Sequence, residues 1–292
     1  MKQIVAAVGM LVVSVLVYAQ SPASPDLNTI QNWSNADYIL LGEVHDNAAG
    51  HALRQEWLKA LVTKGHFALA MEQLDRENQA LLTVTEQDLL SKANTVNEGQ
   101  LKELAKAGSF SFKGWQWSFY EPLFKMAVEQ NLPLIATNLS QSEMMSLMTG
   151  KVKASTLPSE WHSSMTKLMQ ERVEKGHCNM LPKEMVSPMA SAQIERDRSM
   201  AEAIVAAHRD THLPVILVAG NGHLREDLAV PFWLKVLDPK AKVVSIAVME
   251  EGNTDNEPQK AFTSVYYVPA QDRADPCEEL KHHRFAMPEH KK

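Results

Sequence analysis

The sequence predicts an α/β fold: a mainly parallel sheet flanked by helices, with a helical arm or subdomain inserted at about residues 158–212. Three observations predict it. Short apolar runs of strand length alternate with longer segments of helical periodicity, as when strands are joined by crossover helices. The strand-like runs are apolar throughout rather than every second residue, so both sheet faces are covered. The alternation is interrupted once, by the helical pattern of residues 158–212.

The first segment, MKQIVAAVGMLVVSVLVYAQ, has one early lysine, an apolar run and a small-x-small ending at Val17-Tyr18-Ala19. It reads as a signal peptide over residues 1–19. The run is short for a bilayer span of ~20 residues, so a retained N-terminal membrane anchor is the minor alternative. No cysteine is near the expected cut, which removes lipid attachment there. Residues 20–37 are Pro/Ser-rich and expected as an extended leader. A single domain follows over 38–277, and a charged, mobile tail over 278–292.

Within the domain, ADYILLGEVH is the first buried strand. AAGHALRQEWLKALVTKG follows with Leu53, Trp57, Leu58 and Leu61 on one face, Asp46 or Asn47 as N-cap and Gly65 as stop. HFALAMEQL is the second strand. RENQALLTVTEQDLLSKA and NEGQLKELAKAG are two helices, and a third begins at about Tyr120. LPLIATNLS is the third strand and SQSEMMSLMTG a short helix. The 158–212 region is helical with a break near residues 176–182. LPVILVAGNGHLRED is the fourth strand and its turn, PFWLKVL a helix, KVVSIAVME the fifth strand and SVYYVPA the last.

The composition bounds the function. With 292 residues, 45% hydrophobic and 22% charged, the chain builds a core without a staple. A formal net charge of −6 gives a nucleic-acid partner no electrostatic support. The two cysteines, Cys178 and Cys277, read most simply as a disulfide in an exported chain, the rival being two thiols that ligate a metal.

Four of these strands end in polar groups: Glu43 and His45 after Gly42, Glu72, Asn138, then His223 after Gly220 and Gly222, with Arg225 beyond. Parallel α/β sheets place their sites outside the carboxyl ends of the strands. One rim therefore collects Glu43, His45, Glu72, Asn138, His223 and Arg225. Two imidazoles and two carboxylates suit a divalent metal ion, with Glu43, His45, Glu72 and His223 as ligands, and an open position would activate water for hydrolysis. Without metal, His45 beside Glu43 or Glu72 is a general base and Arg225 an anion holder. The bland alternative is that these groups hydrogen-bond to loop backbone. His51 lies over the rim or is a surface histidine. Arg54 is a solvated charge or a partner of Glu43 or Glu72.

The stretches ILLGEVHDNAAGHALRQ, FALAMEQL, WQWSFYEPLF, IATNLS, GHC, ERDRSMA, VAGNGHLREDLAVPFWL and DPC, in this order, resemble the ChaN-like, or cofacial-haem-binding, protein family, within a wider group that includes Tiki metalloproteases and erythromycin esterases. The resemblance runs from about Tyr38 to Cys277. It implies a periplasmic protein of haem or iron acquisition that binds haem, as a homodimer stacking two haems face to face. In that mode one chain's tyrosine ligates iron, a histidine of the partner meets the propionates, and the contacts belong to the helical arm. This chain departs twice: it lacks the acylated cysteine of the family's lipoproteins, and residues 157–213 contain no tyrosine. Histidine or methionine also serves as an axial ligand. His177 is then the expected haem contact, with Met185 and Met189 lining the apolar face. The other reading of these methionines is core filling. The mature chain is expected to have no stable membrane span and to be periplasmic or secreted.

Overall fold

The computed structural model describes residues 25, 27–92, 95–252 and 258–281. The expected signal peptide and the end of the expected tail lie outside these residues. The leader is corrected in part: residues 27–33 are not extended but form helix α1 (Leu27–Trp33), whose Ile30 and Trp33 enter the core. Trp33 meets Trp57 edge-on at 5.4 Å, so burial of large aromatic surface overrides the Pro/Ser-rich start.

Among the described residues six strands form one wholly parallel sheet: β1 (Tyr38–Glu43), β2 (Ala68–Asp75), β3 (Leu134–Asn138), β4 (Val215–Gly220), β5 (Val243–Glu250) and β6 (Ser264–Val268). Their spatial order is β3-β2-β4-β1-β5-β6. β1, β2 and β4 are buried almost end to end, which matches their uninterrupted apolar sequences. Ile39, Leu41, Leu69, Met71, Ile216 and Val218 face one core, and Tyr38, Leu40, Ala68, Ala70, Val215 and Leu217 the other.

Helix α2 (Ala48–Val62) carries the chain from β1 to β2 over the first face, burying Trp57, Leu58 and Leu61. Asn47 caps it, its side chain accepting from the Gly50 N–H at 2.8 Å, and the helix stops at Val62, short of Gly65. Helices α3 (Gln79–Lys92), α4 (Glu98–Ala107) and α5 (Trp117–Glu129) add to the same core, α5 beginning three residues before the expected Tyr120. The outer edge of β3 is blocked by α3. Glu86 accepts from the Leu134 N–H, and Gln79 exchanges two hydrogen bonds with Leu134 and Ala136, so this edge offers no open ladder.

After the short helix α6 (Gln141–Met148), the expected helical insertion appears as α7 (Ser163–Gly176) and α8 (Lys183–Thr211). The second half of α8 is the crossover from β3 to β4. It lays Ile194, Met200, Ala201 and Ile204 on the second face, beside Val230, Trp233 and Leu234 of α9 (Val230–Leu237). The second half of α8 thus belongs to the helical layer, while the region between α7 and α8 has a small apolar cluster of its own, Leu181, Met185 and Val186. A last helix, α10 (Pro276–Leu280), follows β6. The disulfide Cys178–Cys277 joins the turn after α7 to α10.

The connection leaving β1 runs towards β2 on one face, and the connection leaving β4 runs towards β5 on the other. β1 and β4 are neighbours, with Glu43 level with Gly220. The crevice where such connections diverge is the usual ligand position of a doubly wound sheet.

Candidate functional site

Glu43 closes β1 with its side chain fully buried. Its Oε1 accepts from His45 Nδ1 (2.9 Å), Gln73 Nε2 (3.1 Å) and the Tyr120 hydroxyl (2.5 Å). Its Oε2 forms an ion pair with Arg54 of α2. Burial lowers the Arg54 guanidinium to about 10, which leaves it charged at neutral pH, and burial raises the Tyr120 phenol far above its ordinary value, which keeps it a donor. Arg54 Nη2 also donates to His51 Nδ1 (2.9 Å), and His51 Nε2–H donates to the His45 carbonyl (2.9 Å). His51 is thereby a neutral ring of one tautomer, stacked on Phe119 at 4.3 Å, with its pKa lowered by burial. It supports the turn that carries His45.

His45 sits where that turn leaves the sheet. Its Nδ1–H is committed to Glu43, so Nε2 carries the lone pair. The ring meets Trp115 edge-on at 4.7 Å and passes over the Gly220 backbone, where a Cβ would come within 2.8 Å of it. A side chain at 220 would have to displace the His45 ring from this position. Burial, with help from the charges of His223 and Arg196, holds the His45 pKa below its ordinary value against the pull of Glu72.

The second half of the site is built on β2, β4 and α8. Glu72 Oε2 accepts from the Gly220 N–H (2.7 Å), and its Oε1 from Arg196 Nη2 (3.1 Å). His223 Nε2 is 3.3 Å from Glu72 Oε1, and His223 Nδ1 is 2.5 Å from Asp197 Oδ1. Burial alone would lower the His223 pKa, but the two carboxylates outweigh it and raise it to about 9. Burial would likewise raise Glu72, yet His223, His45 and Arg196 bring it well below the carboxylate range. Asn138 donates to the Glu72 carbonyl (2.9 Å) and accepts from Arg196 Nε (3.0 Å), so it braces β2 and Arg196.

Gly42 serves a different purpose. Asn221 folds its side chain across this position, accepting from the Val248 N–H (3.0 Å) and donating to the Val248 carbonyl, and any Cβ at 42 would strike its Oδ1.

The rim expected from the sequence is thus assembled in part. Glu43, His45, Glu72, Asn138 and His223 meet around Gly220. Arg225, buried beyond the His223 turn, is clamped by Asp227 at 2.9 and 2.6 Å. Glu43, His45, Glu72 and His223 divide into two paired halves whose oxygens and nitrogens are largely committed to protein partners. Among the described residues no group of three or more His, Cys, Asp or Glu side chains is placed to hold a metal ion.

The other candidates lie on the helical layer. His177 caps the C-terminus of α7, half-buried, and its Nδ1–H donates to the Val173 carbonyl (2.7 Å). Met185 is 5% exposed and packs with Leu181 and Val186, while Met189 borders that cluster. Asp197, Arg196 and Tyr120 escaped a reading of strand ends, and Gln73, next to Glu72 at the end of the second apolar run, stood there without an assigned role. Asp197 and Arg196 lie within ERDRSMA and Tyr120 within WQWSFYEPLF, both far from any strand end.

A family model described as haem-binding uptake, Tiki superfamily, ChaN matches residues 29–234. No curated protein matches the sequence significantly. Among solved structures, ChaN of Campylobacter jejuni with cofacial haem is similar with a TM-score of 0.68 at 21% identity, over 82% of this chain and 89% of that one. The type III effector HopBA1 is similar with a TM-score of 0.46 at 9% identity, over 89% of this chain and 100% of its own. A mutant of the erythromycin esterase EreC in its open conformation gives 0.45 at 14% identity, over 77% and 74%.

Proposed function

We propose that this chain, which belongs to the haem-binding uptake family of the Tiki superfamily, ChaN, binds haem in the periplasm and does so as a homodimer. The observation that carries the reading is the family match over residues 29–234, which spans the rim, α7 and α8. Haem supplies an iron whose axial positions take a protein donor. The donor set of this chain fits. The His177 Nδ1–H donates to the Val173 carbonyl, the kind of contact that orients metal-bound imidazoles. Met189 borders the same apolar cluster, and buried Met185 supports it from within. The periplasmic assignment rests on the apolar N-terminal segment and on the paired cysteines. Among the described residues no helix is long and apolar enough to cross a membrane.

Titration of the purified protein with hemin is expected to give a saturable Soret shift, weakened by roughly 10–100-fold or more in His177→Ala and unchanged in Met185→Leu. A spectrum matching hemin with an inert protein sinks the haem reading. Identical titrations of wild type and His177→Ala sink only the assignment of His177.

The paired imidazoles of the rim favour a second reading, acid–base hydrolysis. Glu43 orients His45 as a neutral base, and Asp197 with Glu72 holds His223 as a charged acid, two environments that push one side-chain type in opposite directions. Arg54, Arg196 and the Gly220 N–H engage both glutamates, so the reading needs no divalent metal ion. Ester turnover by the wild type is expected to survive chelation and to fall by roughly 10²–10⁴-fold in His45→Ala. Turnover restored only by a divalent cation would return the rim to metal chemistry.

A further inference from the structure

We propose that residues 269–277 form a strap that locks the end of α7 to the turn carrying His45, so that the oxidation state of Cys178–Cys277 governs how firmly both are held. The strap lies beyond residues 29–234, which the family model matches. Its function is independent of the haem and hydrolysis readings.

The strap leaves β6 and passes the β1–α2 turn. There Arg273 donates to both oxygens of Asp46 (2.7 and 2.9 Å) and to both of Glu250 (2.7 and 2.6 Å). Glu250 is 3% exposed and also accepts from Asn47 Nδ2 (2.6 Å) and the Gln271 N–H (2.9 Å). Asn47 donates in addition to the Pro269 carbonyl (2.9 Å) while capping α2. The two residues after His45 are therefore both tied to this C-terminal segment.

Four residues beyond Arg273, Cys277 is bonded to Cys178, the residue after His177. A chain spans at most about 3.5 Å per residue, so this stretch reaches no more than roughly 14 Å. The α7 end it holds stands over the rim, since Arg172 Nη2 lies 3.2 Å from where a Gly222 Cβ would sit. Cys178 and Asn179 have φ of 56° and 55°, the left-handed backbone of a helix end, which asparagine adopts readily and cysteine only at some cost. Fixing the strap at Cys277 lowers the entropy cost of placing Arg273 against its two carboxylates. Reduction by a dithiol breaks the sulfur–sulfur bond and forms two thiols, the dithiol becoming a disulfide, with two electrons and two protons transferred. The strap is then held at one end only.

Amide hydrogen exchange read by mass spectrometry tests the proposal on the full chain, oxidised and after dithiothreitol, with reduction verified by alkylation. Reduction is expected to speed exchange about tenfold or more in peptides covering 171–182 and also in those covering 44–50, leaving β2 and β4 unchanged. Arg273→Gln with the disulfide intact is expected to speed 44–50 alone. If the bond resists dithiothreitol, Cys277→Ser supplies the same comparison. A rise confined to 171–182 makes the disulfide a local tether and overturns the coupling. A rise throughout the sheet, or none anywhere, overturns it equally.

Discussion

Arg54→Ala is expected to destabilise the protein by about 3–5 kcal/mol, the usual loss when one partner of a buried ion pair is removed. Arg54 is 1% exposed, and its partner Glu43 has no exposed side-chain surface. Alanine at 54 leaves the Glu43 carboxylate with neutral donors only, deprives His51 Nδ1 of its donor and opens a cavity between α2 and α5. Arg54→Lys is expected to recover part of the loss, because an ammonium restores the charge but not the fork that reaches Glu43 and His51 together. The double variant Arg54→Ala/Glu43→Gln is expected to lose less than the sum of its single changes, since the uncompensated charge is gone. Urea unfolding at neutral pH measures these three variants and Glu43→Gln alone. A loss below about 1 kcal/mol for Arg54→Ala would mean that solvent already screens the pair.

The second large effect is alkaline. His223 has a folded pKa of about 9 against an ordinary 6.5, because Glu72 and Asp197 outweigh its burial. A raised pKa means that its contribution is complete below 6.5 and is lost as pH rises through about 9. At about 1.4 kcal/mol per unit, the contribution is on the order of 3 kcal/mol. Wild-type stability is therefore expected to fall from pH 7 to pH 10. His223→Gln should lie lower at pH 7, with Glu72 and Asp197 left facing a neutral amide, and should lack that slope. Glu72 has the opposite sign: its depressed pKa contributes stability above the ordinary carboxylate value of 4.5 that disappears as pH falls below it. Thermal melts of both proteins across the alkaline range decide the matter. Parallel curves for wild type and His223→Gln would show that His223 is not held as an imidazolium in the folded state.

These two predictions fall on residues that the sequence made unequally visible. Glu43, His45, Glu72 and His223 stand at the ends of apolar runs, where a turn, a glycine and a polar group coincide, so a reading of strand ends finds them. Asp197 and Arg196 lie in the middle of a long helix, and helical periodicity alone gives no reason to prefer them to Glu195 or Arg198. Only the packing of α8 across the sheet brings this pair, and not its neighbours, to the His223 turn. Tyr120 reads as an ordinary core residue until α5 places it beside Glu43, and Gln73, visible next to Glu72, gains a role only from the same placement.

The strand and helix alternation, the family and the pairing of Cys178 with Cys277 were all legible in the linear chain, because apolar runs, caps and an isolated cysteine pair are local or compositional signals. Tertiary structure decided who answers whom: Arg54 for Glu43, Asp197 for His223, Arg273 for Asp46 and Glu250, and which half of the inserted helices packs on the sheet. Those pairings span up to 227 residues. They depend on desolvation and distance, which act between side chains only after the sheet has brought them within reach.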